Sequence, residues 1–150
     1  MRTVTAMDAA SPDAAAQFSV RPVGRVRSPL KRREDAPRQG DEGAPEAWLD
    51  FAPEFARAAQ ELRANTDVLV LTWLDQARRD VLAVHPRGET DRPETGVFST
   101  RSPDRPNPIG LHRVRIAEVA GLSLRVHDLE ALDGTPVIDV KPVLGGPEER

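Results

Sequence analysis

The sequence predicts a mostly-β fold: a single-domain sandwich or barrel with one or two short helices. Three observations lead there. Seven or so short segments rich in Val, Leu and Ile recur along the chain, separated by turn residues. Several alternate apolar and polar residues with a period of two, the pattern of a strand with one buried face. Finally, 14 of the 150 residues are proline, well above the usual share of about 5 %, which leaves little room for long helices. The strand–helix alternation of a doubly wound nucleotide-binding fold is missing as well.

Taken in order, residues 1–17 offer little to bury and read as a disordered leader. A first strand is expected over 18–27, where Val20, Val23 and Val26 are apolar and Pro22 marks an edge or a bulge. "SPLKRREDAPRQGDEGAP" (28–45) has no sustained period and reads as a long loop, a length that points to function or disorder. "EAWLDF" (46–51) is a short strand, and "PEFARAAQELR" (53–63) gives one or two helical turns with Pro53 at a permitted first-turn position. "DVLVLTWL" (67–74) is the clearest buried strand. "RRDVLAVH" (78–85) follows, then the polar turn region 86–96, then strands at "VFST" (97–100), "HRVRIAEV" (112–119), "LSLRVHDL" (122–129) and "TPVIDVKPV" (135–143). In the 122–129 segment Leu122, Leu124 and Val126 alternate with Ser123, Arg125 and His127. The globular domain is thus expected over 18–146, with a tail at 147–150.

Composition narrows the function classes. The absence of cysteine excludes disulfides, thiolate nucleophiles and Cys-based zinc sites. The longest apolar run, "VLVLTWL", is too short to cross a bilayer, and the N-terminus lacks a signal-peptide pattern. A soluble, cytoplasmic protein with no membrane partner is expected. A formal charge of −3 argues against a general polyanion binder, yet "FSVRPVGRVRSPLKRR" (18–33) carries six basic residues and no acidic one. Such a stretch is either a solvated face or a local, salt-sensitive nucleic-acid contact. The common nucleotide, metalloprotease and hydrolase signatures are absent. His85, His112 and His127 are scattered and read as surface or strand-edge residues, so no metal is expected.

Four segments exceed what local propensity explains: "APRQG" (36–40), "WLDQARRD" (73–80), "FSTRSPDRPNPIGL" (98–111) and "LDGTPVIDVKP" (132–142). Each combines Pro or Gly rigidity with a few polar groups, the makings of a pre-organised small-molecule pocket. In order and spacing they resemble the TrmO family of tRNA methyltransferases, also called TsaA-like or VirR-like, over about residues 18–144. The resemblance implies a β-barrel that binds S-adenosylmethionine without a doubly wound fold. It further implies a homodimer with cofactor pockets near the subunit interface. The implied reaction is methylation of N6 of threonylcarbamoyl-adenosine, next to the anticodon in the tRNA anticodon stem-loop. Cofactor contacts carried over by motif are Pro37, Arg38, Gln39, Asp75, Gln76, Arg101, Leu111, Asp133, Gly134, Thr135 and Pro136. Asp75 stands where family members often carry His, and Val143 where Tyr is common.

The chemistry assigns expected roles. Asp75 or Asp133 suits the cofactor amine or ribose, and Arg38 or Arg101 its carboxylate. Gly134 and Thr135 suit close hydrogen bonding to adenine or ribose. Methyl transfer asks for in-line geometry more than for acid–base help. Asn107, restrained by Pro108, is the candidate to draw the acceptor nitrogen toward tetrahedral geometry. Arg101 and Arg105 are candidates to grip cofactor or phosphate, Arg101 being counted with Asn107 as catalytic. Arg25, Arg27, Lys31, Arg32, Arg33, Arg78, Arg79 and Arg87 are the candidate phosphate contacts on RNA. Two other readings stand beside the enzyme: a non-catalytic RNA- or nucleotide-binding β-barrel, and a methyltransferase with a different acceptor.

Overall fold

The computed structural model describes residues 16–85, 89 and 91–145. Eight strands are present among them: β1 (Gly24–Arg27), β2 (Ala47–Phe51), β3 (Asp67–Trp73), β4 (Ala83–Val84), β5 (Thr95–Gly96), β6 (Ile109–Ala120), β7 (Ser123–His127) and β8 (Pro136–Pro142). Six of them close into an antiparallel barrel in the order β1-β2-β7-β6-β3-β8, while β4 and β5 form a separate two-stranded ribbon. The expected single mostly-β barrel is the observed fold.

The period of two explains the closure. Val68, Val70 and Thr72 on β3 face inward, as do Gly110, His112, Val114 and Ile116 on β6 and Leu124 and Val126 on β7. With Val26, Leu49, Leu129 and Val137 these apolar side chains make one core. Full burial of each Val, Leu or Ile contributes roughly 1.5–3 kcal/mol. Closure leaves the six strands without a free edge, which is how a small antiparallel sheet avoids pairing with other chains. Irregularities interrupt the ladders at Leu71/Thr72 against β8 and at Ile116/Glu118 against β7. Breaks of this kind bend a strand and raise its twist.

Several expected elements differ. The strand expected over 18–27 is confined to Gly24–Arg27, because Phe18 and Val20 stand exposed with nothing to pack on. "RRDVLAVH" keeps only the two-residue β4, with Leu82 exposed. "VFST" is a 3-10 turn over Val97–Ser99 and not a strand: Val97 is buried but Phe98 points to solvent, so there is no face to pair. The helical turns expected at 53–63 are a 3-10 helix over Pro53–Ala59. Strand β6 is longer than expected, starting at Ile109 directly after Pro108. The expected leader lies, apart from residues 16 and 17, outside the described residues, as does the tail at 147–150.

Candidate functional site

An open groove of about 1770 Å³ runs from the loops beside the start of β6 along that strand as far as Arg115 and Asp67. That is larger than the roughly 300–1,000 Å³ of a typical small-ligand cleft, enough for a cofactor and part of a second substrate. Its walls are the loop 33–41, the turn after β3, the loop 98–104, the start of β6 and the β7–β8 connection. These are the segments the sequence singled out, drawn together from positions up to 100 residues apart by barrel closure.

Each wall has its own fastening. The loop after β1 folds into two 3-10 turns, Arg33–Asp35 and Gly40–Glu42, which hold Pro37, Arg38 and Gln39 between them. The chain turns after β3 through an Ala77 N–H bond to the Leu74 carbonyl at 3.0 Å, presenting Asp75 and Gln76. The proline-rich loop is braced from inside by Arg105. Its Nε donates to the Ser102 carbonyl at 2.8 Å, and Nη2 donates to the carbonyls of Val97 at 2.6 Å and Thr100 at 2.5 Å. Asp104 ties this loop to two others, accepting from the Arg78 backbone N–H at 2.9 Å and from both Arg33 terminal nitrogens at 3.3 Å. Burial pushes the Asp104 carboxyl up, but the Arg78 N–H and the Arg33 guanidinium outweigh it and leave the group below the usual carboxylate range.

The sequence-selected residues divide cleanly. Pro37, Arg38, Gln39, Asp75, Gln76, Arg101, Leu111 and Thr135 all line the groove. Arg38 and Arg101 have no ion-pair partner among the described residues, nor does Asp75. By contrast Asp133, Gly134 and Pro136 stand outside the lining. Asp133 accepts from the Ser28 N–H at 2.9 Å and pairs with Lys31 at 2.8 Å, while the Gly134 N–H bonds the Val26 carbonyl at 2.7 Å. The Asp-Gly pair is a turn that fastens the exit of β1. Asn107 is also outside the lining, its Oδ1 accepting from Arg79 at 3.0 Å. Arg105 also stands outside the lining, its guanidinium spent on the loop it braces.

Most of the candidate phosphate contacts are neutralised locally. Arg27 pairs with Asp50 at 2.8 Å and lies over the Trp48 ring. Lys31 holds Asp133, Arg32 holds Glu34 and Asp35, Arg33 holds Asp104, and Arg78 holds Asp80. Arg25 donates to the Gly134 carbonyl, and Arg79 stacks on Trp73 while donating to the Pro106 carbonyl. Arg87 lies outside the described residues. Exposed pairs of this sort are worth about 0–1 kcal/mol, so a phosphate can displace the carboxylate at little cost.

One group was misread from sequence. His112 is not a surface or strand-edge residue: its side chain is 4 % exposed. The Thr72 hydroxyl meets its Nε2 at 2.7 Å and Glu130 Oε1 meets its Nδ1 at 2.5 Å. The signal was present, since His112 is in phase with Val114 and Ile116 on the inward face of β6. The other two histidines are partly exposed, as expected.

A closed antiparallel barrel with a groove of mixed polar and apolar lining, floored by strand residues and walled by loops, defines a β-barrel ligand-binding domain. Residues 25–146 match the tRNA-methyltransferase O N-terminal domain, and the chain belongs to that family. It is 50 % identical over 126 residues to a probable S-adenosyl-L-methionine-binding protein of Methanothermobacter thermautotrophicus, covering 84 % of this chain and 90 % of the relative. A named S-adenosyl-L-methionine-binding protein of Archaeoglobus fulgidus is 48 % identical, over 81 % of this chain and 86 % of that one. The crystal structure of TrmO from Pseudomonas aeruginosa superposes with a TM-score of 0.68 at 32 % identity. That match covers 86 % of this chain but only 55 % of the TrmO chain, so this chain spans about half of its length.

Proposed function

We propose that the chain is an S-adenosylmethionine-dependent tRNA methyltransferase whose acceptor is N6 of threonylcarbamoyl-adenosine beside the anticodon. The observation that carries the cofactor is the donor set of the groove. Two guanidiniums with no ion-pair partner among the described residues, Arg38 and Arg101, face the same space as the carboxylates of Asp75 and Asp128 and the apolar Leu74 and Leu111. This set suits a ligand with a carboxylate, an ammonium, a sulfonium and an aromatic base. Arg38 or Arg101 would hold the carboxylate in a bidentate fork, and Asp75 the ammonium or the ribose. The cofactor supplies an electrophilic methyl group.

Transfer then depends on holding the acceptor nitrogen in line with the methyl, which the stiff walls of the groove favour. The anticodon loop would reach the groove across the basic rim of Arg33, Arg78 and Arg79. The homodimer implied by the resemblance is supported by an apolar band on the outer face of β3 and β6. There Leu71 lies opposite Leu111 and Trp73 opposite Ile109, and Ile109 and Leu111 are more than 40 % exposed. The groove reaches this band at Leu111.

Calorimetric titration with S-adenosylmethionine tests the cofactor, with saturable binding weakened at least tenfold by Arg101→Ala as the expected result. Mass spectrometry of tRNA nucleosides from a deletion strain then tests the acceptor. Loss of the methylated threonylcarbamoyl-adenosine is expected. No binding by folded protein would favour a non-catalytic RNA- or nucleotide-binding barrel, and an unchanged nucleoside profile a different acceptor.

A further inference from the structure

The Thr72–His112–Glu130 chain is a buried polar line leading from the barrel core to the groove. Thr72 is fully buried on β3, His112 lies on β6, and Glu130, on the β7–β8 connection, is 18 % exposed and lines the groove. The strands leave room for it only because residue 110 is glycine. A Cβ there would stand 2.7 Å from His112 Nε2 and would also overlap the Thr72 hydroxyl. Both ring nitrogens are occupied, so the imidazole has a fixed plane and orientation. A hydroxyl accepts or donates at Nε2, and an ionised carboxylate accepts from Nδ1–H.

Glu130 is where the line opens. Its Oε1 is taken by His112, whereas Oε2 makes no hydrogen bond among the described residues. No buried side-chain oxygen or nitrogen among them lacks a partner, so Oε2 is open to the groove. It faces the loop that carries Pro37, Arg38 and Gln39: a Cβ on Gly40 would come within 3.1 Å of it. A network serving only to satisfy buried groups has no need of a carboxylate whose second oxygen faces a ligand groove.

Building on the proposed methyltransferase reading, we infer that Glu130 Oε2 accepts the proton released by the acceptor nitrogen, with His112 and Thr72 as its positioning residues. Each methyl gained by that nitrogen costs it one proton. The methyl would leave sulfur with the S–C electron pair staying on sulfur as a neutral thioether, and the new N–C bond would use the nitrogen lone pair. The N–H bond then breaks with its electron pair left on nitrogen, and an O–H bond forms at Glu130 Oε2. As the nitrogen takes up its fourth bond it becomes cationic and its N–H strongly acidic, so a carboxylate is base enough. Nδ1–H bonded to Oε1 holds the carboxylate plane and leaves Oε2 as the accepting atom. Thr72, bonded to Nε2, fixes the ring from the other side.

Three variants test this with two readouts: affinity for S-adenosylmethionine by calorimetry, and the single-turnover methylation rate on tRNA carrying threonylcarbamoyl-adenosine. Glu130→Gln keeps the size and a hydrogen-bonding oxygen but is not a base. It is expected to bind cofactor within twofold of wild type and to transfer methyl at least 100-fold more slowly. Glu130→Asp withdraws the carboxylate and is expected to fall between the two. Thr72→Val, remote from the groove, leaves His112 Nε2 unpaired and so costs some stability, but it is expected to slow the transfer step about tenfold with cofactor affinity within twofold of wild type. A merely structural role would not produce that split. Wild-type transfer with Glu130→Gln within twofold overturns the inference alone, as does a tenfold loss of cofactor affinity that accounts for the whole defect. A wild-type chain that binds cofactor but methylates no such tRNA overturns the acceptor reading and this inference with it.

Discussion

Gly40 packs directly against the backbone carbonyl of Asp128, leaving no space for a Cβ between them. This contact helps fasten the loop bearing Pro37, Arg38 and Gln39 to the β7–β8 connection bearing Glu130. Asp128 itself adopts a left-handed conformation, with φ of 68°. That is an uncommon geometry for a residue with a side chain, and it marks a point where surrounding structure dictates the backbone.

Gly40→Ala should therefore act on the ligand and not on the barrel. The added methyl forces the loop outward, an overpacking cost of about 1–3 kcal/mol. Because the loop is exposed, the strain is relieved by moving it rather than by unfolding. Titration with S-adenosylmethionine is expected to show at least a tenfold loss of affinity, with a near-native β circular dichroism spectrum. Unchanged affinity would show that loop 36–40 has no part in holding the cofactor.

Arg105→Ala removes the brace of the proline-rich loop and strands the carbonyls of Val97, Thr100 and Ser102. Hydrogen bonds from a charged donor are worth about 1.5–3 kcal/mol, so thermal denaturation should show a loss of about 2 kcal/mol. Arg105→Lys should restore little, since an ammonium cannot reproduce the planar fork. Full restoration by Lys would mean that charge alone, and not the fork, holds the loop.

Asp133 gives a pH signature. Lys31 in the first place, and then the Ser28 N–H, hold its carboxyl below the ordinary range. A carboxylate depressed in this way contributes fully above its unfolded value of about 4 and loses the contribution as pH falls through the lower folded value. Asp133→Asn should then be less stable than wild type in urea near pH 7, with the gap closing as pH falls through the lowered folded value. The side chain is 35 % exposed, so solvent screening keeps the gap under about 1 kcal/mol. A gap independent of pH would assign the defect to packing.

Ile109→Asp tests the outer apolar band. A charge at this half-exposed position costs the isolated barrel little, so the thermal midpoint of the monomer should hold within a few degrees. Sedimentation is expected to shift from dimer to monomer. A dimer that survives the change would place the interface elsewhere.

The strands were legible wherever one face is buried and the other wet. β6 and β7 carry the period-two pattern and β3 stands out as a continuous apolar run, and the barrel follows from pairing them. "VFST" and "RRDVLAVH" carry strand-forming residues too, but Phe98 and Leu82 end up in solvent. Local preference yields a strand only where a partner is at hand, and of these two segments only Ala83–Val84 finds one, in Thr95–Gly96. At the site, the rigid segments around Arg38, Asp75 and Arg101 could be picked out because Pro and Gly punctuate them. The roles of Asp133 and Arg105 could not. A carboxylate or a guanidinium reads the same in sequence whether it awaits a ligand or fastens a neighbouring loop.

By itself, then, the sequence determined the fold class, the family resemblance and the segments that wall the groove, because periodicity and Pro-Gly chemistry are local properties. Only the tertiary structure decided which charges are spent and which are free. Arg33 finds Asp104 71 positions away and Lys31 finds Asp133 102 positions away, while Arg38 and Arg101 find no carboxylate among the described residues. It also decided that His112 lies inside, between Thr72 and Glu130. Pairing of charges and burial of a polar side chain depend on distances set by barrel closure, and those distances are not written in any single stretch of the chain.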